Sequence, residues 1–87
     1  MNYKQPHIEI IKKPNGDITM EIDDTELFDF IEDYLIEKCS IEYAYLSETL
    51  NHNKIMHFTD KYSFNTLIEA IQKLDRDEIE KIYQLNN

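Results

Sequence analysis

Apolar and polar side chains alternate with period two at both ends of the first hairpin-like stretch, the pattern of strands with one buried face. His7 to Lys13 reads as a strand with Ile8 and Ile10 on one face and Glu9 and Ile11 on the other. Asp17 to Asp23 alternates more cleanly, with Ile18, Met20 and Ile22 inward and Thr19 and Glu21 outward. Between them lies Pro14-Asn15-Gly16-Asp17. Asn-Gly between two β-patterned runs signals a hairpin, because both residues tolerate positive φ.

The period changes to that of a helix at Thr25. Leu27, Phe28, Ile31, Tyr34 and Leu35 share one side of a helix running to Lys38, and Cys39 extends that side. Asp23-Asp24-Thr25 supplies candidate N-caps. Glu26, Asp29, Asp33 and Glu37 collect on the opposite side as an acidic stripe without an interposed lysine.

Ile41 to Leu46 reads as a third strand, although Ile41, Tyr43 and Tyr45 compete with Ala44 and Leu46 for its inner face. The polar stretch Ser47 to Lys54 joins it to Ile55-Met56-His57-Phe58, giving a second antiparallel hairpin with a longer loop. Phe64, Leu67, Ile68, Ile71 and Leu74 then form the apolar face of a second helix. Were that helix to run straight on, Asp75 and Glu78 would project from the same face, and burying unpaired carboxylates is costly. A break at Leu74-Asp75 resolves the conflict, with Asp75 as N-cap, Glu78 at N3 and a short third helix carrying Ile79, Ile82 and Tyr83 to about Leu85. Continuous helix is the alternative if those two carboxylates lie at a wet edge. The expected fold is α+β in the order β-β-α-β-β-α: a four-stranded antiparallel sheet with helices on one face and a short C-terminal helical extension.

The chain of 87 residues fits one domain with a thin core, here residues 1–87, and 41% hydrophobic residues suffice to pack it. One cysteine, no apolar leader in the first residues and no apolar run of membrane-spanning length lead to the expectation of a cytoplasmic protein. Charge changes the picture most: 18 acidic residues against 9 basic give a formal −9. Such a field repels nucleic acid and anionic membranes and attracts basic surfaces.

Little in the sequence speaks for catalysis. Cys39 sits at a helix C-terminus, where the dipole opposes a thiolate, so it reads as a structural core residue. His7, His52 and His57 show no metal-ligand spacing, Gly16 is taken up by the hairpin, and the carboxylates fall on solvated faces. No catalytic residue, metal or cofactor is expected, and scattered lysines argue against direct nucleic-acid binding. The candidate partner-binding residues are Glu26, Asp29, Asp33 and Glu37, joined by Tyr43 and Tyr45 from a chain that holds six tyrosines.

In size, acidity and lack of motifs the chain resembles small phage-encoded proteins that disarm bacterial nucleases, anti-CRISPR proteins among them. The resemblance is one of character and rests on no shared motif. It implies a non-enzymatic inhibitor whose carboxylates stand in for phosphates on a basic partner, a nuclease or another nucleic-acid-binding protein. An immunity protein against a cognate toxin obeys the same physics. A scaffold domain that associates through a bare sheet face is the third expectation.

Overall fold

The computed structural model describes residues 1–85. Its strands are β1 (Asn2–Gln5), β2 (Ile8–Lys12), β3 (Ile18–Ile22), β4 (Tyr45–Glu48) and β5 (Lys54–Phe58). Its helices are α1 (Thr25–Lys38), α2 (Phe64–Gln72) and α3 (Arg76–Leu85). The fold is α+β as expected, but the antiparallel sheet has five strands in the order β1-β2-β3-β5-β4, not four. The element order is accordingly β-β-β-α-β-β-α-α.

The added strand is β1. Its register sets Tyr3 opposite Ile10 and Gln5 opposite Ile8, so these two side chains take the inner positions. The Tyr3 hydroxyl donates to Gln5 Oε1 over 2.9 Å, and Gln5 is buried. A polar pair thus fills an inner face that aliphatic residues fill elsewhere, and it leaves no hydrophobic alternation in the sequence. His7 belongs to the turn after β1 and not to a strand, with a left-handed φ of 74°.

Ile10, Met20 and Met56 face one another across the three central strands, with Ile8–Ile22 and Ile18–Phe58 beside them. All seven are buried and form the sheet's half of the core. The turn between β2 and β3 differs from the expected pair of positive φ values. Gly16 alone is left-handed, at φ 94°, while Asn15 Oδ1 accepts from the Asp17 N–H at 3.0 Å. The Gly16 N–H donates to the Lys13 carbonyl at 2.9 Å and the Lys13 N–H to the Asp17 carbonyl at 2.8 Å. That is a three-residue loop with glycine at its one left-handed position.

α1 packs on β3 and α2 on β2, while α3 lies against α1. Asp24 caps α1, its Oδ2 accepting from the Leu27 N–H at 2.9 Å. Leu27, Phe28, Ile31 and Leu35 are its buried side, and each such side chain is worth about 1.5–3 kcal/mol of burial. Cys39 is half-buried at the helix end, not enclosed in the core.

The chain turns at Ser40, at φ 55°, and the Ile41 N–H reaches back to the Leu35 carbonyl at 2.9 Å. Ile41 therefore plugs the core instead of opening a strand, and β4 begins only at Tyr45, later than the expected Ile41–Leu46. Ser63 caps α2 through Thr66, and the expected break follows: Asp75 Oδ1 accepts from the Asp77 N–H at 2.9 Å as α3 starts.

Candidate functional site

α1 owes its two-sided character to its sequence alone. With Leu27, Ile31 and Leu35 turned into the sheet, Glu26, Asp29, Asp33 and Glu37 must face solvent, and all four are exposed. None of them enters an ion pair among the described residues. Their spacings of three and four residues make neighbours of like charge, each pair costing a few tenths of a kcal/mol. The helix bears an unneutralised row of charge.

That row meets a second acidic group across a groove. α1 and the α2–α3 junction enclose a depression of about 480 Å³ whose floor includes Phe30, Tyr34 and Leu74. Asp33 and Glu37 line it from α1, Asp75 and Glu78 from the start of α3. Lys38 and Lys73 also border it, so the ring holds four carboxylates to two ammonium groups. Glu26 and Asp29 lie on the same helix but outside the groove.

Tyr34 crosses between the helices beneath it. Its hydroxyl donates to the Ala70 carbonyl at 2.7 Å, and burial, with the Cys39 thiol nearby, pushes its pKa up to about 12. The hydroxyl therefore ties this part of the floor to α2 as well as to α1.

The two tyrosines singled out by sequence part company. Tyr43 is half-buried and donates its hydroxyl to Glu32 on α1, a bond that pushes its pKa up to about 12 together with burial and the Glu32 charge. It ties the 40–44 segment to the helix. Tyr45 is 58% exposed on the edge strand β4 and stacks on His57, with ring centroids 4.2 Å apart. Neither residue lines the groove.

His57 also sits 2.7 Å from Ser47 Oγ through Nε2. Burial lowers the pKa of His57, and the Lys13 charge adds to that, with Asp17 opposing. A cavity of about 20 Å³ lies alongside His57, room for roughly one water. Among the described residues no three of His, Cys, Asp and Glu converge to hold a metal ion.

No match was found to this chain among family models, curated proteins or solved structures. No described helix is long and apolar enough to cross a membrane.

Sequence reasoning placed Asp33 and Glu37 on an exposed face but did not join them to Asp75 and Glu78. The signal was present in the conflict itself. The break that keeps Asp75 and Glu78 out of the apolar face of α2 leaves them at the start of α3, on the rim of the groove.

Proposed function

We propose that this protein is a small acidic, non-enzymatic inhibitor that binds a nucleic-acid-handling protein and covers its basic nucleic-acid-binding site with carboxylates in place of phosphates. The observation that carries this reading is the unpaired row Glu26, Asp29, Asp33 and Glu37 on the outer side of α1. Eleven residues of helix separate the first from the last, about 16 Å of axis. One charge then recurs about every 5.5 Å, the same order as the 3.4 Å rise per phosphate of a nucleic-acid strand. A basic cleft built to follow phosphates meets a comparable density on a rigid rod.

On the open face of the sheet Lys4, Glu9 and Glu21 share a row with Ile55, beside a second row of Ile11, Thr19 and His57, so charged and polar groups break up the apolar surface that a self-associating scaffold would use.

The test is capture from the native host at low and moderate salt with wild type and with an Asp29→Lys/Asp33→Lys variant. A protein held by wild type and released by the variant is then assayed for nucleic-acid binding. Loss of that binding on adding wild-type protein supports the proposal. A captured partner that binds nucleic acid and this protein simultaneously overturns it.

A further inference from the structure

We infer that the groove between α1 and α3 is the seat of a basic amphipathic helix of the partner protein. This rests on the reading above that the partner is basic, and adds how the partner is gripped and by what kind of segment. The stripe alone would attract any cation. The groove asks for more, because its floor is apolar and its rim is charged.

Phe30, Tyr34 and Leu74 are half-buried and belong to the margin of the core. In the groove their remaining surface lies bare. Along α1 the lining runs from Phe30 to Lys38, about 12 Å or two helical turns. Two turns of a partner helix would lay side chains at i, i+3 or i+4 and i+7 along that length, which is the helix-in-groove mode.

The rim decides between a helix and an extended segment. Asp33 and Glu37 stand on one side and Asp75 and Glu78 on the other. A helix with an apolar stripe on the floor carries its flanking residues to both sides at once, so lysines or arginines there reach both carboxylate pairs. A strand with its apolar side down sends alternate residues straight up into water, away from both rims. Lys38 and Lys73 fall at the C-terminal ends of α1 and α2 and suit the carbonyl end of a docked helix. Neither lysine pairs with a rim carboxylate among the described residues, which leaves those carboxylates open to the partner's cations.

The experiment titrates isotope-labelled wild-type protein with two synthetic peptides. One is an amphipathic Leu/Lys helix of about 14 residues, the other an oligolysine of equal charge. The helix is expected to bind at least about tenfold more tightly, with the largest chemical-shift changes at Phe30, Tyr34 and Leu74. Leu74→Gln should remove most of that preference, whereas Glu26→Gln/Asp29→Asn should leave it. Equal affinities with shifts centred on Glu26 and Asp29 would overturn the groove while the acidic inhibitor reading stands. Absence of binding by either peptide at low salt would overturn both. Because shifts are mapped on the wild-type protein, the outcome does not depend on a variant that folds.

Discussion

The imidazole of His7 stacks on the ring of Tyr83, with centroids 3.7 Å apart and planes 23° from parallel. His7 sits in the turn after β1, Tyr83 near the end of α3, so the contact pins the chain's last helix to its first turn. The ring nitrogens add Asp23 on one side, at 3.3 Å, and Glu80 on the other, at 3.2 Å. α3 also buries Ile79 in the core, and it forms one side of the groove.

His7→Asn keeps a residue that tolerates the left-handed φ of this turn but removes the ring. The stack and the half-exposed polar contacts to Asp23 and Glu80 together are worth about 1 kcal/mol. The loss should be local: amide exchange in α3 should speed up while protection in β2, β3 and α1 holds. Uniform loss of protection across the sheet would show that His7 supports the whole fold instead.

Alkaline pH should test the two half-buried, hydrogen-bonded tyrosine hydroxyls. Tyr34 and Tyr43 are both raised from 10.0 to about 12 in the folded chain. The unfolded chain therefore releases these protons first. Their contribution is complete below pH 10.0 and is lost as pH rises through about 12. Urea midpoints measured across that window should fall steeply for wild type and less so for Tyr34→Phe/Tyr43→Phe. At neutral pH Tyr34→Phe should cost about 1 kcal/mol, one hydrogen bond to the Ala70 carbonyl.

At the acidic side His57 gives the opposite sign. Its folded pKa is lowered from 6.5, chiefly by burial, so the unfolded chain binds the proton more readily. Stability is present above pH 6.5 and declines as pH falls below it. The imidazole resonances of His57 should titrate with a midpoint under 6.5 in the folded protein. A Tyr45→Ala change, which uncovers the ring, should move that midpoint back upward; an unmoved midpoint would mean that the stack contributes nothing to the burial.

The turn between β2 and β3 offers a test of conformation free of packing. Nothing lies within 4 Å of where a Cβ on Gly16 would stand, so the only penalty for a side chain is its φ of +94°. Gly16→Val should cost on the order of 1–2 kcal/mol, visible in thermal unfolding. Asn15→Ala should cost less, because Asn15 has an ordinary negative φ and loses only two exposed side-chain bonds to Asp17, one from the Asp17 N–H and one to its carboxylate.

Much of this fold is legible in the chain because burial and period agree. Ile18, Met20 and Ile22 announce β3, and Leu27, Phe28, Ile31 and Leu35 announce α1 to its observed ends. β1 is silent because its inner positions are Tyr3 and Gln5, which satisfy each other instead of forming an aliphatic row. The start of β4 is misleading because Ile41 and Tyr43 are apolar for α1's sake: one fills the core beside it, the other reaches Glu32. The stripe on α1 could be read from a helical wheel. The groove could not, since its far wall comes from α3, more than thirty residues away, and depends on how the α2–α3 break is angled.

Charge reversal separates a contact surface from a solvated face. Asp29 is neighbour to Glu26 at i−3 and to Asp33 at i+4, and Asp33 is neighbour to Glu37 at i+4. Asp29→Lys/Asp33→Lys turns two of these repulsive pairs attractive, the one with Glu26 and the one with Glu37, and each is worth about 0.2–0.5 kcal/mol. The pair between the two altered positions stays repulsive. Both side chains are exposed and neither holds an ion pair or a cap among the described residues, so nothing structural is given up. Thermal stability should therefore be equal or slightly higher. Association with a basic partner should slow at low salt and lose most of its salt dependence, because the change of four charge units weakens the field that steers the encounter. The two readouts move in opposite directions, which a mere loss of folding cannot imitate. A variant that associates as fast as wild type at low ionic strength would reduce the α1 row to a solvated face, and would shift attention to exposed Tyr45 on the sheet edge.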